Sequence, residues 1–132
     1  MTYFVGILDG KGKVWGVRFP DIDGCVGGGR TPDEAVADAA QALREVTGYK
    51  RGLGATLPKP RTLAEILHSG EVGPGESTVM IPLLLDSGRT VRANVTFDAG
   101  LLEAIDSAAT ARGLTRSAFL ASAAREKIEA HG

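Results

Sequence analysis

Three aspartates are the first residues to test for chemistry. Asp9, Asp21 and Asp23 stand close together in the sequence. Convergent carboxylates hold the paired metals with which nucleases of the ribonuclease H type cleave nucleic acid. Each of these three, however, sits in a glycine-containing stretch, Asp9-Gly-Lys-Gly12 or Pro20-Asp-Ile-Asp-Gly24. Asp is favoured in such turns because its side chain bonds local backbone N–H groups. No acidic residue stands in the middle of the apolar runs around them, so turns are expected, with no catalytic residue and no metal site. Gly27-Gly-Gly29 lacks the trailing Gly-Lys-Ser/Thr of a phosphate-binding loop and reads as a flexible connection. His68, placed in a loop, and His131, at the C-terminal end, have no Cys or His at metal-ligand spacing. No cofactor is expected. Tyr3 and Trp15 read as sheet packing, with anchoring of a partner by exposed aromatics as the alternative, and Cys25 as a small buried apolar residue.

A second group of polar residues is patterned differently. Arg92, Asn94 and Thr96 alternate with Val91, Ala93, Val95 and Phe97. With the apolar set turned to a core, the polar set shares the outer face of a strand. A paired ribbon of such strands fits the DNA major groove, where Arg suits guanine, Asn suits adenine and Thr can use its hydroxyl or methyl. The plainer alternative is a solvated strand face that avoids aggregation. Thr115, Arg116 and Ser117 open the last predicted helix, whose free N–H groups and positive dipole end suit a DNA phosphate. Thr115 would serve as an ordinary N-cap in either case.

The elements that must position these residues are legible in outline. Thr2–Leu8, Asp9-Gly-Lys-Gly12 and Val14–Phe19 form a hairpin signal. Cys25-Val26 reads as a short third strand. Thr31 can cap a helix with Pro32 at its first position and Glu34 closing the capping box. Val36, Ala39, Ala40, Leu43 and Val46 recur at helical spacing, and Gly48 is expected to end that helix. Thr62-Leu-Ala-Glu65 has capping-box spacing and opens a short helix through Leu67. Val79–Leu85 reads as a buried strand returning to the same sheet.

Beyond a turn at Asp86-Ser-Gly-Arg89, the predicted strand 91–97 is followed by two helices. Asp98 caps the first, which carries Leu101, Leu102, Ile105, Ala108 and Ala109, and Gly113 closes it. Thr115 caps the second, with Phe119, Leu120, Ala123, Ala124 and Ile128 as its apolar stripe. A unit this small cannot bury those stripes alone, and a lone strand leaves both edges unpaired. A two-fold dimer pairing strand with strand meets both needs.

The chain of 132 residues is 43% hydrophobic, enough for a packed core, and carries a net charge of −1. That charge excludes a protein that coats nucleic acid by bulk positive charge. Residues 1–88 carry nine basic and eleven acidic side chains, residues 89–132 six and five. Five of the seven aromatics precede residue 50. Two units are therefore expected, 1–85 with a linker-rich stretch at 48–76, and 89–132. A single cysteine forms no internal disulfide, the start lacks signal-peptide features, and no stretch is long enough to cross a bilayer. A cytoplasmic protein without a membrane partner is expected.

Val91-Arg-Ala-Asn-Val-Thr-Phe-Asp98, Leu101-Leu-Glu-Ala-Ile-Asp106 and Gly113-Leu-Thr-Arg-Ser-Ala-Phe-Leu120 resemble the ribbon-helix-helix DNA-binding fold. Val17-Arg-Phe-Pro-Asp-Ile-Asp-Gly-Cys-Val26, Gly29-Arg-Thr-Pro-Asp-Glu-Ala35 and Leu57-Pro-Lys-Pro60 resemble the N-terminal domain of HicB antitoxins, a truncated ribonuclease-H-like sheet. With both parts in this order, nearly the whole chain resembles a HicB-family antitoxin. The alanine-rich helices and the glycine-rich linker depart from the family's commoner pattern. The resemblance implies an α+β fold: a small antiparallel sheet with one helix, then a ribbon-helix-helix unit. It implies an antitoxin that neutralises a HicA-like RNA-cleaving toxin and represses its own operon. The implied partners are that toxin, operator DNA and a second copy of the chain through the ribbon, with a tetramer left open. A stand-alone repressor with a sensing or oligomerising first unit is the alternative, and a metal-dependent nuclease a further one.

Overall fold

The computed structural model describes residues 1–85 and 89–131. The turn expected at Asp86–Arg89 falls largely on 86–88, outside the described residues. Two compact units emerge: Met1–Leu85, with which the chain end from Ile128 clusters, and Asp86–Lys127. The architecture is α+β, with a four-stranded antiparallel sheet and four helices among the described residues.

In the first unit, β1 (Thr2–Lys11), β2 (Val14–Arg18), β3 (Val26–Gly29) and β4 (Ser77–Leu83) lie in the order β3-β2-β1-β4. The hairpin is tighter than the sequence suggested. Lys11 pairs with Val14, leaving a two-residue loop with Gly12 at φ +60°. Asp9, expected in the turn, is therefore an exposed β1 residue opposite Gly16.

Helix α1 (Pro32–Gly52) covers one face of the sheet. Thr31 caps it by accepting from Glu34 N at 3.1 Å, while Arg30 N donates to Glu34 Oε2. Phe4, Val17, Phe19, Ile22, Cys25 and Ile81 pack there with Ala35, Ala39, Ala40 and Leu43. The helix does not stop at Gly48. It runs four residues further and closes where Gly54, at φ +79°, lets Ala55 N reach Lys50 O.

The triple glycine is a strand rather than a flexible connection. A Cβ at Gly27 would stand 2.4 Å from Ala39 N, and one at Gly29 2.5 Å from Glu34 Cβ. Glycine there lets α1 lie directly on β3. Asp38 of α1 also accepts from Gly28 N at 2.9 Å, occupying an edge donor of the sheet.

Strand alternation turns Val5, Ile7 and Arg18 to the sheet face away from α1. Val5 and Ile7 are buried, as is Ile66 of α2 (Leu63–His68). Thr62 and Glu65 form the expected capping box. His68, expected in a loop, is the last residue of α2.

The second unit contains α3 (Ala99–Ala111) and the start of α4 (Arg116–His131). Asp98 caps α3 through Gly100 N and Leu101 N, and Gly113, at φ +67°, closes it with Leu114 N donating to Ala109 O. The strand expected over 91–97 is not formed in the single chain. A strand needs a hydrogen-bonded neighbour, and residues 89–97 have none of the sheet pairings.

Candidate functional site

In the first unit, the loops that follow β2 and precede β4 are organised by ion pairs that sequence spacing did not reveal. Arg18 Nη1 donates to Glu76 Oε2 at 2.5 Å and Nη2 to Oε1 at 2.9 Å, while Nη2 also reaches Glu71 O. Glu76 Oε1 further accepts from Gly73 N at 2.7 Å. The Arg18 guanidinium, helped by that backbone donor, holds the Glu76 carboxyl down at about 2. Arg61 joins two loops: its N and Nε donate to Asp21 at 2.8 and 2.6 Å, and its Nη1 and Nη2 bond the Glu71 carboxylate. The Glu71 carboxyl is lowered first by Arg61 and then by the Ser69 hydroxyl.

That arrangement accounts for Asp21. Its carboxylate is occupied by Arg61, which comes from the far side of α1 in the sequence, rather than by the local N–H groups expected of a turn aspartate. Asp23 is exposed and offers its backbone carbonyl towards Lys50 Nζ at 3.5 Å, while Asp9 stands on β1. Among the described residues no three His, Cys, Asp or Glu side chains are gathered as a metal centre would require. Cys25 is buried, and desolvation pushes its thiol up, which keeps it from being an activated nucleophile.

In the second unit, Arg92, Asn94 and Thr96 are all exposed. Without a ladder the polar and apolar residues are not sorted onto opposite faces. Asn94 lines a recess of about 290 Å³ together with Ala93, Val95, Phe97, Leu102, Arg116, Ser117 and Leu120. The recess brings Asn94 beside two of the three residues expected at the start of α4; Arg92 and Thr96 do not line it. Thr115 caps α4, its Oγ1 accepting from Ala118 N at 3.1 Å. Arg116 is held by Asp106 of α3, through Nε to Oδ1 and Nη2 to Oδ2, both at 2.8 Å. The Arg116 guanidinium lowers the Asp106 carboxyl, and Arg116 is raised in turn.

Apolar exposure is the other feature of this unit. Val91 is 76% exposed, Val95 67%, Leu101 51% and Phe97 36%, while among the unit's described apolar residues only Ile105 and Ala109 are buried. Arg112 lies over the Phe119 ring, 5.7 Å from its centre.

The family model for the HicB_like antitoxin of bacterial toxin-antitoxin systems matches residues 3–124. The chain belongs to this family. Solved HicB structures agree. The antitoxin HicB of Burkholderia pseudomallei is 29% identical, with a TM-score of 0.58 over 97% of this chain and 99% of that one. Antitoxin HicB3 is also 29% identical, with a TM-score of 0.53 over 96% and 98%. A chain of the HicA3 and HicB3 toxin-antitoxin complex, at 20% identity and TM-score 0.50 over 64% of this chain, shows a likeness of fold. No curated protein matches the sequence. No helix among the described residues of this HicB-like antitoxin is long and apolar enough to cross a membrane.

Sequence reasoning singled out the end of the HicB-like chain and missed Arg18, Arg61, Glu71 and Glu76. Arg18 stands in the Val17–Val26 stretch, but Arg61, Glu71 and Glu76 lie far from it in sequence, and no spacing links them to it. Only the approach of 57–76 to the sheet makes them partners.

Proposed function

We propose that this HicB-like antitoxin neutralises a HicA-like RNA-cleaving toxin through its first unit and represses its own operon through its second. In this reading the first unit is a truncated ribonuclease-H-like sheet that binds without cutting. The second is a ribbon-helix-helix module in which two copies pair their 91–97 segments. The paired ribbon enters the major groove, with Arg92, Asn94 and Thr96 towards base edges. Thr115, Arg116 and Ser117 at the start of α4 meet phosphate.

The observation that carries the DNA-binding half is the exposure of Val91, Val95 and Phe97 at alternate positions just ahead of α3. Alternate apolar residues left in water are what a strand awaiting a second strand presents, and burying them requires a partner. A homodimer supplies it; a tetramer would need a further contact. The toxin-binding half is supported by the family and by the fold shared with a chain of a HicA3–HicB3 complex.

The test is co-expression with the adjacent open reading frame. The neighbour alone should arrest growth, the pair should grow, and the two proteins should co-purify. A harmless neighbour that does not co-purify removes the toxin-neutralising reading and leaves a stand-alone repressor. Footprinting on the upstream promoter DNA tests the second half.

A further inference from the structure

Arg116 opens α4, and its guanidinium is gripped from one side only. A guanidinium carries five N–H donors in a rigid plane. Asp106 takes one on Nε and one on Nη2, both at 2.8 Å, along a single edge of that plane. Both N–H groups of Nη1 and the second of Nη2 are left on the far edge. The two side chains remain open to solvent, 54% exposed for Arg116 and 44% for Asp106. A carboxylate gripping one edge of an arginine fixes the plane and leaves the other edge able to take two oxygens of a phosphate. Unclamped, the long side chain would sample many rotamers and lose that freedom on binding.

We propose that Asp106 is the positioning residue for Arg116, turning the free edge of its guanidinium towards a DNA phosphate at the start of α4. The inference rests on the DNA-binding reading above. Two effects of Asp106 oppose each other: its charge repels a phosphate, and its grip orients the cation. Arg116 and the carboxylate neutralise each other, so what the pair offers a phosphate is a set of oriented N–H donors rather than net charge.

The experiment titrates the full-length protein against duplex DNA from upstream of its own coding sequence, at several salt concentrations. Wild type is compared with Arg116→Ala, Asp106→Ala, Asp106→Asn and the double alanine variant, with thermal midpoints measured in parallel. Arg116→Ala should weaken binding about tenfold, as loss of a charge-assisted contact does, and lower the salt slope by about one. Asp106→Ala should do nearly the same although it removes a negative charge. The double variant should be no weaker than either single one, and Asp106→Asn, which keeps an acceptor, should fall between. If Asp106→Ala or Asp106→Asn binds as well as or better than wild type while Arg116→Ala is weakened, the positioning role is overturned and DNA binding stands. Equal binding by Arg116→Ala and wild type also overturns it. If wild type itself does not bind the duplex, the DNA-binding reading fails, and this inference with it.

Discussion

Arg18 of β2 and Glu76, just ahead of β4, are joined by two short hydrogen bonds across a sequence separation of 58 residues. The pair ties the segment that carries α2 to the sheet, and it determines how this unit responds to acid. Glu76 titrates at about 2 in the folded chain, against about 4.3 for a free glutamate. A lowered carboxyl stabilises the fold fully above the unfolded value and loses that contribution as the pH falls towards the folded one. Stability should therefore decline between about pH 4.3 and pH 2. Trp15 is the single tryptophan and lies on β2, so its fluorescence reads urea unfolding of this unit. Glu76→Gln should lower the midpoint at neutral pH and flatten the acid limb. An unchanged acid limb would assign the dependence to other carboxylates.

Two glycines of the first unit should respond to alanine in opposite ways. Gly27→Ala would set a methyl group against the Ala39 backbone, which neither side can yield, and should destabilise by at least about 1–3 kcal/mol. Gly48→Ala meets open space within α1 and should stabilise by about 0.5–1 kcal/mol. Chemical denaturation of both variants checks the opposite signs.

Val95→Asp should break the proposed dimer. The residue is 67% exposed in the chain, so the single chain tolerates the charge, whereas a paired ribbon would have to bury it. Sedimentation should show a monomer, promoter binding should disappear, and rescue from the toxin should persist. A Val95→Asp protein that remains dimeric would place the interface elsewhere.

Asn94→Ala should weaken operator binding by about 1–3 kcal/mol and relax preference at one base position. A titration against operator variants reads both effects. Binding with unchanged preference would return Asn94 to the solvated-face reading.

No metal-dependent RNA cleavage is expected, because Asp21 is committed to Arg61 and Asp9 stands apart on β1. Incubation of labelled RNA with magnesium or manganese checks this. Cleavage that disappears in Asp9→Ala or Asp23→Ala would promote the nuclease reading.

The sequence by itself determined what depends on neighbours along the chain. The caps Thr31, Thr62, Asp98 and Thr115 fall where expected, because a capping side chain bonds an N–H two or three residues away. The α3 terminus at Gly113 and the hairpin followed the same local logic. Tertiary structure decided whatever required distant residues to meet. Gly48 reads as a stop, yet α1 continues through it because Thr47 and Leu43 are buried on the same helix and Gly54 supplies the left-handed turn. Gly27-Gly-Gly29 reads as loose chain, yet pairing with β2 and the approach of α1 make it a strand. The 91–97 alternation reads as a strand, yet among the described residues the sheet comprises β1 to β4 and does not include this segment. Local hydrogen bonds are written in short spacings. Sheet pairing, helix contact and the Arg18–Glu76 and Arg116–Asp106 ion pairs depend on which distant surfaces come together, and only burial in the folded chain decides that.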